Sequence, residues 1–266
     1  MTSLSRIVTD LAAEQAALDA VVAALAPDAW MSETDSPRWR VFEQIAHLTY
    51  FDRAAAIAIT DPDTFAGMAE ELRARFPLGP EAIDDLSLAP HRSMSPAELL
   101  TAWRDARRML AEASATLADG DRVPWYGPPM SARSFLTARL MEVWAHGADV
   151  AKAVGATRES TDRVKHIVTL GVLTQGWSYA NRGMRPPQAG VQVELTAPSG
   201  QRWAFGPDDA SDSITGAAED FCLVVTQRAH VDDTGLTVHG AAAREWMLLA
   251  QCFAGPASDG PAPATS

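Results

Sequence analysis

Four stretches of helical periodicity occupy most of the first 155 residues, and a chain built this way must bury helix against helix. Residues 4–25 repeat apolar positions at helical spacing among many alanines, with few β-branched residues, which predicts an amphipathic helix ending before Pro27. Residues 41–59 place Phe42, Ile45, Leu48 and Phe51 at three-residue steps and stop at Asp61-Pro62. Ser95-Pro96-Ala97-Glu98 is a capping box with proline at the first helical position, and it opens a helix through Leu99, Trp103, Leu110 and Leu117. The fourth helix covers residues 131–154 and is closed by Gly155. Such helices, joined by connections of unequal length, predict a four-helix bundle. Between residues 61 and 91, Pro77, Gly79, Pro80 and Pro90 interrupt helical pieces such as 65–76, so this stretch reads as an elaborated connection. Residues 119–129 read as a loop bearing Trp125 and Tyr126.

The second half has a different rhythm. Residues 160–179 predict one more helix, followed by a Pro/Gly-rich break over 183–190. Residues 191–195 and 202–205 alternate apolar and polar on either side of the turn Pro198-Ser199-Gly200, which predicts a hairpin. A helical stretch over 216–227, a short third strand at 236–238 and a closing helix over 241–253 complete an α+β pattern. The expected organisation is therefore an α+β chain: a helical bundle over 1–156, a small α+β domain over 157–255, and a Pro/Ala/Ser tail over 256–266 expected to be disordered.

Charge and cysteine usage narrow the function classes. Thirty-four acidic against 22 basic residues give a net charge of −12 with no long run of either sign, which disfavours nucleic acid and anionic membranes as partners. No apolar stretch approaches the roughly 18 residues a membrane span requires, and the N-terminus does not read as a signal peptide. The two cysteines, Cys222 and Cys252, lack C-x-x-C spacing, fit a reducing, cytoplasmic setting and read as small core residues.

Chemistry concentrates on two of the helices. Glu142 and His146 are four residues apart on one helix, so they project from one face, with Asp149 one step further along it. His47 sits within an apolar helix, where a buried imidazole needs a partner. Two imidazoles and a carboxylate suit a divalent metal, zinc first, with nickel and iron as alternatives. The same spacing also fits an ordinary surface pair beside a core histidine. His91, His166, His230 and His239 read as solvated, and Trp125, Tyr126, Tyr50 and Trp177 fit either a pocket mouth or plain core.

The strings around these residues add a resemblance. Residues 39–48, Trp-Arg-Val-Phe-Glu-Gln-Ile-Ala-His-Leu, followed by Asp52, and residues 141–150, Met-Glu-Val-Trp-Ala-His-Gly-Ala-Asp-Val, resemble the two metal motifs of the mycothiol-dependent maleylpyruvate isomerase family. Residues 214–220, Gln227-Arg228 and 236–240 resemble that family's sterol-carrier-like second domain. The resemblance implies a DinB-like bundle, metal ligation by His47, Glu142 and His146, and a guanidinium offered to the active site by Arg228. It implies mycothiol as co-substrate, used on a small-molecule electrophile to isomerise or conjugate it. Asp149 fits a residue that accepts a hydrogen bond from a ligating imidazole and orients it, and fits a helix-capping or surface role as well. The 61–91 insertion and the 125–130 loop resemble a metal-binding branch of the family rather than the isomerases themselves, so no particular substrate is implied. Two other classes fit the same residues: a thiol-independent Lewis-acid enzyme that tailors or cyclises a secondary metabolite, and a non-catalytic protein that binds metal or an apolar ligand.

Overall fold

Residues 3–264 are described by a computed structural model, and the chain divides into two compact units, Met1–Arg158 and Glu159–Ser266. In the first unit, α1 (Leu4–Ala23), α2 (Val41–Thr60), α5 (Pro96–Ser114) and α6 (Ala132–Val154) are the four long helices, with α3 (Pro62–Arg75) and α4 (Pro80–Leu88) inserted between the second and third of them. α2 packs on α5 and α6, and α1 on α5 and α6. The ends form as their sequences dictate. The Ser95 N–H donates to Glu98 Oε2 at 2.7 Å, the Glu98 N–H to Ser95 Oγ at 3.4 Å, and Gly155 closes α6 at φ 64°.

Four helices with apolar faces could slide along one another, and one buried side chain opposes this. Asp52 on α2 has no solvent exposure. It accepts hydrogen bonds from Gln15 Nε2 of α1 at 3.1 Å, Trp103 Nε1 of α5 at 3.3 Å, and Arg139 Nη2 and Nε of α6 at 3.1 and 3.3 Å. A single carboxylate thus ties together all four long helices. The loop between α5 and α6, read from sequence as irregular, contains a short antiparallel pair, β1 (Arg122–Val123) with β2 (Met130–Ser131), and this pair presents Trp125 and Tyr126 at its tip.

The second unit combines α7 (Lys165–Leu173), α8 (Gln175–Ala180), α9 (Ala218–Val225) and α10 (Ala241–Leu249) with a four-stranded sheet of order β4-β3-β5-β6. Its strands are β3 (Val191–Thr196), β4 (Arg202–Phe205), β5 (Asp212–Ala217) and β6 (Thr237–His239). Two expectations are corrected. The single helix expected over 160–179 is broken at Thr174, whose hydroxyl donates back to the Leu170 carbonyl at 2.8 Å. A fourth strand, β5, lies next to β3 in parallel register, with Val193 opposite Ile214. It escapes sequence reading because Ile214 is its only large apolar residue and Gly216-Ala217 runs straight into α9.

Asp212 also caps α10, accepting the backbone N–H groups of Ala242 and Ala243 at 2.7 and 3.2 Å. Gly240 makes room for it: its φ of 90° with ψ of 157° is nearly exclusive to glycine, and a β-carbon there would lie 2.2 Å from Asp212 Cγ. Gly240→Ala is therefore expected to cost at least about 1–3 kcal/mol and to lower the melting temperature by several degrees. A thermal melt superimposable on the wild type would refute this.

Residues 256–264 carry no regular secondary structure, yet the Ser258 carbonyl accepts from Gln227 Nε2 at 2.7 Å and the Ala264 N–H reaches Asp233 Oδ2 at 2.9 Å. Residues 265 and 266 of the tail expected to be disordered lie outside the described residues. Among the described residues, no helix is long and apolar enough to cross a membrane.

Candidate metal centre

α2 and α6 bring His47, Glu142 and His146 together. Glu142 Oε2 lies 3.2 Å from His47 Nε2 and 3.2 Å from His146 Nε2, and one ligand atom from each residue falls within 4.8 Å of the others. The side chains of His47, Glu142 and His146 are 16%, 24% and 10% exposed, so the cluster sits at the rim of the bundle, within reach of solvent. The four-residue spacing of Glu142 and His146 puts both on the stripe of α6 that faces α2.

The hydrogen-bond chain behind His146 settles which ring nitrogen carries its proton. The Thr34 hydroxyl donates to the Trp39 carbonyl at 2.8 Å, so its oxygen is left to accept from Gln44 Nε2 at 2.9 Å. That orientation turns Gln44 Oε1 toward His146 Nδ1, 2.5 Å away, and an amide oxygen there requires Nδ1 to be the donor. With Nδ1 carrying its proton, His146 Nε2 directly faces a carboxylate oxygen at 3.2 Å. A proton or a metal cation between the two atoms satisfies both, and ligand bonds of about 2.0–2.2 Å fit donors at this separation. The donor set and its orientation therefore fit a divalent metal.

Gln44 is the residue that sequence reading missed. It lies on the same face of α2 as His47, one turn earlier, and that spacing is the signal that could have found it. Gln44 Oε1 meets His146 Nδ1, whereas Asp149 Oδ2 is 4.0 Å from that nitrogen and accepts from Ser36 Oγ at 3.3 Å. Gln44→Ala is expected to weaken metal binding about 10–100-fold, because imidazole orientation is lost while every ligand stays in place. Unchanged affinity in a competition titration with a chelator would remove Gln44 from the site.

Electrostatics favour ligand-ready protonation states. Burial, with the charge of His146 beside it, lowers the His47 pKa to about 4, and the Glu142 hydrogen bond offsets only part of this. Its imidazole is neutral at pH 7. Burial pushes the Glu142 carboxyl up, but the hydrogen bonds from His146 and His47 outweigh it and hold the group well below the usual carboxylate range.

Residues 11–151, more than half of the chain and containing all three ligand candidates, match the family description "Mycothiol maleylpyruvate isomerase N-terminal domain". The chain belongs to this family. Two relatives from two strains of Mycobacterium tuberculosis, each named as an uncharacterized protein, are 44% identical over 253 residues, covering 95% of this chain and 97% of theirs. Crystal structures of the mycothiol-dependent maleylpyruvate isomerase and of a histidine-to-alanine mutant share the fold. They have TM-scores of 0.58 and 0.59 and 17% and 18% identity, and each comparison covers 91% of this chain and 98% of the other.

Within this member of the mycothiol maleylpyruvate isomerase family, aromatic rings flank the triad. Trp39 lies 5.0 Å from the His47 ring and 5.8 Å from the His146 ring, and Phe51 lies 4.5 Å from His47 on α2. Phe51 in turn meets Tyr126 at 5.7 Å and Trp125 at 6.3 Å. The insertion supports both sides: Phe65 of α3 stacks parallel on Trp125 at 5.5 Å, and Asp84 of α4 accepts from Trp39 Nε1 at 3.2 Å.

Arg228 follows α9 in the second unit, with Nη1 donating to the Thr226 carbonyl at 2.7 Å. Trp177, also in that unit, is 42% exposed and donates to the Phe253 carbonyl. His91 and His166 are buried, correcting the expectation that both are solvated, and Cys222 and Cys252 are buried as core residues.

Proposed function

We propose that this protein is a metal-dependent enzyme that uses a low-molecular-weight thiol, mycothiol, to isomerise or conjugate a small electrophile. The observation that carries the reading is the convergence of the Nε2 atoms of two histidines upon one Glu142 carboxylate oxygen, in a member of the mycothiol maleylpyruvate isomerase family. His47, Glu142 and His146 hold the metal, with zinc the best match to two imidazoles and a carboxylate, and nickel or iron(II) also suited to it. A bound divalent cation lowers the pKa of a coordinating thiol, so that a thiolate is available at neutral pH.

The chain's own residues then arrange the rest. Gln44 keeps His146 Nε2 aimed at the site, and the partial exposure of His47 and Glu142 leaves a side open to solvent. Addition of the thiolate to the β-carbon of a conjugated carbonyl forms a C–S bond and moves the double-bond electrons onto the carbonyl oxygen. Arg228, by its match to the family's second domain, stabilises that enolate. Rotation about the former double bond followed by expulsion of the thiolate returns an isomer, whereas protonation at the α-carbon retains the thioether.

The test is turnover of a panel of α,β-unsaturated carbonyl compounds by the metal-loaded full chain, with and without mycothiol. Activity that requires the thiol is expected. Activity undiminished without it would move the protein to the Lewis-acid class, and metal binding without any turnover would favour a binding protein. Arg228→Ala is expected to keep its metal and to lose about 100-fold in kcat, the usual cost of removing one oxyanion donor; wild-type kinetics would take Arg228 out of the active site.

A further inference from the structure

The inserted segment 61–91 has no place in ligating a metal, yet it braces the rings on both sides of the triad. Phe65 backs Trp125 in a parallel stack with an interplanar angle of 3°, and meets Tyr126 at 5.1 Å. Asp84 fixes the Trp39 indole, which lies over both ligand histidines. Trp39, Phe51, Trp125 and Tyr126 are all half-buried, so each keeps part of its surface open to a ligand.

Charge at this rim points the same way. Of the guanidiniums of the first unit near the ligands in sequence, Arg139 pairs with Asp52, Arg40 with Glu43, and Arg38 with Asp84 and Glu81, while Arg53 on α2 is exposed. Glu142 would be the one carboxylate ligand of a bound divalent cation, and Asp149 and Asp84 add further carboxylates in its surroundings. Arg139, Arg40 and Arg38 are thus occupied by the chain's own carboxylates and offer a dicarboxylate little, whereas a flat uncharged ring finds faces to stack on.

We propose that the 61–91 insertion makes the mouth of the metal site an aromatic rim that selects a flat, uncharged electrophile, an aryl-substituted enone or a quinone, over a dicarboxylate. This rests on the metal-and-thiol reading above and adds the substrate class to it. Trp39 and Trp125 are the specificity-determining residues, and Asp84 is the positioning residue that holds Trp39.

Two thiols that differ in what they offer the rim, 2-naphthalenethiol and mercaptosuccinate, test it on the full chain reconstituted with cobalt(II), binding being read from the thiolate-to-cobalt absorption. Trp39→Ala and Trp125→Ala are each expected to weaken naphthalenethiol roughly fivefold to tenfold, and Asp84→Ala about threefold, with mercaptosuccinate altered by less than about twofold throughout. Comparing each variant with the wild type for the same thiol removes the difference in thiol acidity. Equal losses for both thiols, or none for either, overturn the aromatic rim while leaving the metal-and-thiol reading standing. Cobalt uptake without coordination of any thiol, or no cobalt uptake, overturns that reading and this proposal with it. Circular dichroism identifies a variant that has not folded; should Trp125→Ala be one, Trp39→Ala and Asp84→Ala decide the matter.

Discussion

Purified without added metal or an affinity tag, the protein is expected to carry about one equivalent of a divalent metal, and the paired His47→Ala, His146→Ala variant none. The variant removes two of the three donors and leaves Glu142 as a lone rim carboxylate, which cannot hold a transition metal against water. It should still fold, because both histidine side chains keep partial solvent exposure, 16% and 10%, and neither is part of the apolar core. The stability change has an informative sign. Added metal should stabilise only the wild type, by about 2.7 kcal/mol at a free concentration 100 times Kd. Elemental analysis and thermal melts with and without chelator measure both effects. A variant that retains stoichiometric metal would overturn the ligand assignment, and no uptake of any ion by the wild type would leave the enzyme reading without its main support.

The second large effect belongs to Asp52. Asp52→Ala leaves the Arg139 guanidinium, itself 3% exposed, buried without its carboxylate, and strands the donors of Gln15 and Trp103. The expected loss is about 3–5 kcal/mol, a large fraction of the roughly 5–15 kcal/mol available to a typical folded domain. Removing both charges together should cost less than removing one, because an apolar pair of similar volume has no ion to desolvate. Asp52→Leu with Arg139→Met is therefore expected to be more stable than Asp52→Ala alone. Urea denaturation of the three proteins decides this; a loss below about 1 kcal/mol for Asp52→Ala would show that the helices are held by their apolar faces and that the polar hub is incidental.

How far sequence reading reached depended on whether the deciding contact was local. The capping box at Ser95, the glycine closure at Gly155 and the four long helices are written in residues within a turn of one another, and they appear with bounds within a few residues of those expected. The triad was legible because Glu142 and His146 share a helix face and His47 interrupts an apolar one. The partner of the His146 ring was not. Helical spacing says which side chains share a face, and Asp149 and Gln44 both qualify until α2 and α6 are set side by side. The bracing of Trp39 by Asp84 joins residues 45 positions apart, and no local pattern announces it. Strand β5 went unseen because a strand flanked on both edges needs little periodicity of its own, and Ile214 alone does not mark it.

The division of labour in the first unit bears on how such a site changes over generations. The donors and the carboxylate that aligns their helices ride on the long helices, whereas the rings around the opening depend on the insertion and on the short β1–β2 hairpin. On the proposed reading, Trp39 and Phe51 adjoin the donors in sequence, whereas Trp125, Tyr126 and the residues that brace the rim come from separate stretches of chain. Substitutions in 61–91 or 122–131 would then retune what enters while the donors stay in place, so descendants of one scaffold could diverge in what they take up without first losing the metal site.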